Sequence, residues 1–86
     1  LQVVQVDVPP LRDRPDDVAA IAEHFLKRFA RETARKVKGF SPAAVRKMQG
    51  HHWPGNVREL RNVVERAVAL GAGSVIEEAD IWLSPL

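Results

Sequence analysis

The residues with the most chemical potential lie in one stretch, His52-Trp53-Pro54-Gly55-Asn56-Val57-Arg58-Glu59-Leu60-Arg61-Asn62. Pro54-Gly55 is turn chemistry, and Asn56 is a strong helix N-cap with Glu59 three residues on, the spacing of a capping box. Arg58 therefore falls in the first turn of a helix. Arginine is electrostatically disfavoured there, because the unpaired N–H groups already make that end positive. A guanidinium added to a helix N-terminus is nonetheless a strong anion site, suited to phosphate or carboxylate. The competing reading is a surface salt bridge from Arg58 to Glu59 or Asp17. The residues alone leave the two evenly balanced.

Other chemistries find less support. His51-His52 invites a metal ion, but adjacent side chains diverge and no third ligand has a recognisable spacing. The plainer reading is a turn with solvated or partly packed imidazoles. No glycine-rich phosphate loop occurs, no Ser-His-Asp set has a recognisable context, and there is no cysteine nucleophile. An autonomous enzyme is not expected. Between residues 27 and 47 stand Lys27, Arg28, Arg31, Arg35, Lys36, Lys38, Arg46 and Lys47 against one acid, Glu32. A solvated helix face explains that run better than a phosphate-binding stripe. A helix-turn-helix reading is open too: the helix that starts at Asn56 bears Arg58, Arg61, Asn62 and Arg66, types that reach base edges. Against it stand the stiff Trp-Pro-Gly turn and the acids Glu59 and Glu65.

The elements that must position this stretch can be read in order. Leu1 to Val8 alternates Val4, Val6 and Val8 with Gln5 and Asp7, a strand pattern ended by Pro9-Pro10. No second convincing strand follows, so this one is an orphan that must pair outside the chain. Pro15 then opens a helix with Asp16 and Asp17 at its positive end. Val18, Ile21, Ala22, Phe25 and Phe29 make its apolar stripe, broadened by Leu26, and Glu23–Lys27 is a favourable pair on the other face, which Arg31 and Arg35 share. Its expected end is near Lys36, before Gly39. Ser41-Pro42 caps a second helix running to about Gln49, with Ala44, Val45 and Met48 inward and Gly50 at its end. The third helix follows Asn56, with Val57, Leu60, Val63, Val64, Ala67 and Val68 apolar, and ends at Gly71 and Gly73. Trp53 is expected in the core. Val75-Ile76 reads as an extended pair before one helical turn, with Ile81, Trp82 and Leu83 closing the open end of the bundle. The fold class is all-α, a small three- to four-helix bundle preceded by an orphan N-terminal β-strand segment.

At 86 residues the chain is one small domain that buries about 60–65% of its unfolded surface. Thirteen Lys/Arg against eleven Asp/Glu give +2, too balanced to argue for nucleic acid by itself. The absence of cysteine excludes disulfides and thiolate metal sites and fits a reducing compartment. No apolar run approaches the roughly 18 residues of a membrane span, and no signal peptide is legible. A cytoplasmic protein is expected.

Three segments carry a resemblance. Val8-Pro9-Pro10-Leu11-Arg12-Asp13-Arg14-Pro15-Asp16-Asp17-Val18, then Ala22-Glu23-His24-Phe25-Leu26, then Trp53 to Ala67 resemble the C-terminal helical lid of the AAA+ ATPase module of sigma54-dependent transcriptional activators (bacterial enhancer-binding proteins). They span nearly the whole chain in the family's order and spacing. The resemblance implies an AAA+ lid over residues 11–86. Residues 1–10 would be the remnant of the last strand and the linker of an α/β ATPase subdomain. That subdomain would carry the Walker motifs, the GAFTGA loop and the arginine fingers, and would hold magnesium.

On the same resemblance, Arg58 corresponds to the sensor II arginine, which reaches toward the γ-phosphate of ATP and is catalytic only in the full protein. Val57 corresponds to an apolar position near adenine. Gly55 and Asn56 shape the turn that aims both, and Leu11 and Arg12 border the hinge and the base. The implied partners are the α/β subdomain, neighbouring ring protomers and, through the full protein, sigma54 RNA polymerase. No DNA or membrane contact and no tight ATP binding are expected of this chain alone. His51-His52 departs from a family position that is often aromatic. Two other functions stay open, a helix-turn-helix-like DNA-binding module and a ligand-free, partner-binding helical bundle. Strand-mediated self-association through residues 1–8 is also open.

Overall fold

The computed structural model describes residues 13–53, 56–71 and 73–83, and the side chain of Asn56 is not among what it describes. The expected strand at 1–8, the hinge residues Leu11 and Arg12, and Pro54-Gly55 of the turn lie outside the described residues. What is described is the expected small helical bundle, with one addition.

Helix α1 spans Pro15–Glu32. Proline occupies its first turn, where the missing N–H is no loss, and Asp16 and Asp17 complement the dipole. Its buried residues are Val18, Ala22, Leu26, Phe29 and Ala30. Leu26 therefore sits at the centre of the apolar stripe, and Ile21 and Phe25 flank it, half-buried. Its i,i+4 ion pair is Arg28–Glu32 at 3.2 Å rather than Glu23–Lys27.

The helix stops short of the expected Lys36. Ala34 takes φ 58, the left-handed conformation. Arg35 N–H donates to Ala30 O at 2.9 Å and Ala34 N–H to Arg31 O at 3.3 Å. These two bonds are a Schellman termination, in which the left-handed residue is usually glycine. The Thr33 hydroxyl adds a bond to Phe29 O at 2.8 Å.

Helix α2 spans Pro42–Gln49 as expected, with the Ser41 hydroxyl accepting from Ala44 N–H at 3.1 Å. Gly50 follows as its C-cap. Helix α3 spans Asn56–Leu70. Gly71 N–H closes it on Ala67 O at 2.9 Å. A Cβ on Gly71 would lie 2.7 Å from that same carbonyl, so glycine is required by close approach.

The addition is a two-residue parallel ladder between β1, Gly39–Phe40, and β2, Val75–Ile76. Val75-Ile76 thus has a mate inside the chain, against the expectation that no second strand exists. Lys38 N–H to Ser74 O (2.7 Å) and Ser41 N–H to Ile76 O (2.8 Å) extend it. One 3₁₀ turn, Glu78–Asp80, follows.

The core lies between α1 and α3, closed below by α2. Val18, Ala22, Leu26, Met48, Trp53, Leu60, Val64, Val68, Ile76 and Ile81 are all essentially inaccessible. Each large side chain so buried contributes about 1.5–3 kcal/mol. Of the C-terminal trio, Ile81 is buried and Leu83 packs on the core. Trp82 stays exposed, its ring 4.9 Å from the Arg66 guanidinium carbon.

Candidate functional site

The turn from α2 to α3 is built around Trp53. Its indole is 1% exposed and donates from Nε1 to Met48 O at 2.7 Å, pinning the turn to the last residues of α2. Its backbone takes φ 54, the left-handed region, at a residue that is not glycine. Burying an indole of about 150–250 Å² outweighs the cost of about 1–2 kcal/mol for that backbone conformation.

His51 is the second member of the turn. It is buried, packs edge-on against Trp53 at 4.6 Å between ring centroids, and its Nε2 lies 2.7 Å from Glu59 Oε2. His51 N–H also donates to Met48 O at 3.3 Å. His52, in contrast, is exposed. The pair of imidazoles thus divides into one packed and one solvated.

Helix α3 leaves this turn with Val57 41% exposed and Arg58 exposed beside it. The sequence pattern puts Val57 in the apolar stripe. In the structure the buried stripe begins at Leu60 and continues through Val63, Val64, Ala67 and Val68. Val57 and Leu60 are three apart on one face of the helix, but burial of that face begins only after the first turn. An apolar side chain and a guanidinium are therefore presented together at the positive end of a 15-residue helix. Of the two acids suggested as salt-bridge partners for Arg58, Asp17 pairs with Arg14 at 3.4 Å and Glu59 pairs with His51.

Further along α3, Arg61, Asn62, Glu65 and Arg66 are exposed, a face of mixed sign. The far end of the helix is held by Arg35, whose Nη1 donates to Val68 O and whose Nη2 donates to Gly73 O at 3.0 Å. The sequence places Arg35 on a solvated basic face. Nothing in its spacing signals a bond to residues 33 and 38 positions away. The His51–Glu59 contact is likewise not expected from the spacing of the two residues. Its one legible signal is a capped helix after a tight turn, which returns residue 59 toward residue 51.

Gly55, Leu11 and Arg12 lie outside the described residues, so of the expected site residues the structure brings together Val57 and Arg58 on the first turn that Asn56 begins. No helix of the described residues is long and apolar enough to cross a membrane.

A family model described as "AAA+ ATPase lid domain" matches residues 12–84. The transcriptional regulatory protein ZraR of Escherichia coli (strain K12) is 48% identical over 84 residues, 98% of this chain and 19% of that protein. The nitrogen fixation protein AnfA of Azotobacter vinelandii is 48% identical over 81 residues, 94% of this chain and 15% of that protein. The chain thus spans less than a fifth of the curated relatives named. Among solved structures, NtrX from Brucella abortus, crystallised in complex with ADP, aligns with a TM-score of 0.79 and 36% identity, over 93% of this chain and 19% of that one.

Proposed function

The chain belongs to the AAA+ ATPase lid domain family, as carried by sigma54-dependent transcriptional activators, and from that premise we propose that the start of α3 forms one wall of an ATP site completed by the rest of the protein. In this reading Arg58 is the sensor II arginine. Its guanidinium reaches the γ-phosphate and stabilises the charge that develops there during phosphoryl transfer. Val57 packs near adenine, and Gly55 and Asn56 set the turn that aims both. Leu11 and Arg12 border the base at the hinge, and 11–86 form the lid. Magnesium is held by the α/β subdomain, to which residues 1–10 would belong. Hydrolysis in a ring of such protomers remodels sigma54 RNA polymerase in the cytoplasm.

The observation that carries this reading is the adjacent exposure of Val57 and Arg58 at the N-terminus of α3. An apolar surface beside a guanidinium and the N–H groups of a helix start suits a ligand with an aromatic base and a polyphosphate. A nucleotide-bound relative, NtrX with ADP, supports the same class of ligand. The test is Arg58→Ala in the full-length protein. Turnover of ATP is expected to fall about 100-fold with ATP affinity changed only a few-fold. Near-normal turnover refutes the assignment.

A further inference from the structure

We propose that His51 is a positioning residue for Arg58, acting by clamping Glu59 and so fixing the first turn of α3. The proposal rests on the reading of Arg58 given above. Its ground is how that first turn is held. Val57 and Arg58 are exposed, and the first described side chain of α3 to enter the core is Leu60. Helix ends not packed on a core fray, and a frayed first turn lets a long, flexible arginine wander. The His51–Glu59 bond ties that first turn back to the end of α2, 2.7 Å long with side chains only 5% and 14% exposed.

The clamp is itself rigid. The imidazole stands at 90° to the Trp53 indole, with 4.6 Å between centroids, and Trp53 is bonded to Met48 O. A path of contacts therefore runs from the end of α2 through Trp53 and His51 to Glu59, the residue following Arg58. Glu59 and Arg58 are neighbours on one helical turn, about 100° apart around the axis, so holding Glu59 holds the stretch of backbone from which Arg58 projects. Shielding from water strengthens a hydrogen bond to a carboxylate, so the imidazole N–H holds Glu59 more firmly than it would at the surface. His51 is buried in the turn, whereas Val57 and Arg58 face outward. Its part is to aim, and the chemistry stays with Arg58.

The experiment is a double-mutant cycle in the full-length protein, reading ATP turnover and KM. His51→Leu removes the clamp and keeps an apolar side chain against Trp53. It is expected to lower kcat about tenfold with KM within about twofold, since misplacing a catalytic group costs rate more than ground-state binding. His51→Gln, which retains an N–H of similar reach, is expected to recover most of that loss; a Gln variant as impaired as the Leu variant overturns the proposal. The deciding number is the penalty of Arg58→Ala in each background. An expected loss of about 100-fold with His51 present shrinks to about tenfold or less in the His51→Leu background, because the two residues act on one step. If His51→Leu merely reduces the folded fraction, the Arg58→Ala penalty stays the same in both backgrounds, and the positioning role is refuted. A negligible Arg58→Ala penalty with His51 present instead refutes the assignment of Arg58 itself.

Discussion

The Arg35 guanidinium caps the C-terminal end of α3 by donating to the Val68 carbonyl, although Arg35 lies beyond the end of α1. A second bond from the same group reaches Gly73 O at 3.0 Å, so one side chain joins the end of α1 to the end of α3 and to the loop before β2. The last carbonyls of a helix have no partner within it, and a cation there also complements the dipole. Arg35→Ala is expected to destabilise the fold by about 1.5–3 kcal/mol, the range for hydrogen bonds from a charged group. Arg35→Lys recovers little, because an ammonium cannot match the forked geometry. Urea unfolding followed by circular dichroism measures both. An unchanged midpoint for the alanine variant shows the cap to be superfluous.

Ala34 is the second point of leverage at that corner. It holds the left-handed position of the Schellman termination at φ 58. A Cβ in that conformation costs about 1–2 kcal/mol, partly offset by the greater chain entropy that glycine loses on folding. Ala34→Gly is therefore expected to raise stability by about 0.5–1 kcal/mol, against the usual trend of mutations. Thermal melts of the two chains decide it, and a lower midpoint for glycine rules the strain argument out.

The same corner shows which parts of the fold are legible in the residues. The bounds of α2 are legible because Ser41-Pro42 and Gly50 are local signals whose chemistry acts within a turn. The end of α1 is not, because its left-handed residue is alanine and the next two, Arg35 and Lys36, are good helix formers. The β1–β2 ladder pairs two-residue strands, too short to show alternation. That Arg58 stands in the first turn of α3 is legible from the local helix-start signals, whereas the periodicity puts Val57 in the core stripe and the structure takes it out. The His51–Glu59 bond is hidden because it crosses the turn, where pairing follows three-dimensional path rather than period. Local chemistry is written locally; contacts that cross the bundle are not.

Trp53 tests how far the turn depends on one hydrogen bond. Trp53→Phe keeps much of the aromatic bulk and removes the Nε1 donor to Met48 O, leaving the weaker 3.3 Å bond from His51 N–H on that carbonyl. The lost bond is buried, so about 1–2 kcal/mol of stability is expected to go, with a further small loss from the smaller ring. In the full-length protein the same variant should lower ATP turnover, because His51 loses part of the surface it stands against. Denaturant titration together with turnover checks this. A turn that depends on packing alone keeps its stability within about 0.5 kcal/mol.

Val57 separates binding from stability. At 41% exposure it contributes little to the core, so Val57→Ser should leave the unfolding midpoint within about 0.5 kcal/mol of the parent. If its side chain lies against adenine, the same change removes apolar contact from the bound nucleotide and weakens it, worth about 1–2 kcal/mol or roughly tenfold in KM for ATP. Chemistry should be spared, because a contact to the base is the same in ground and transition states. The pattern is then the converse of Arg58→Ala: KM moves and kcat does not. Steady-state kinetics of the full-length protein, with ATP and GTP in parallel, reads this directly. A Val57→Ser variant with unchanged KM for ATP removes the residue from the base pocket, while one that loses kcat alone places it with Arg58 at the phosphates.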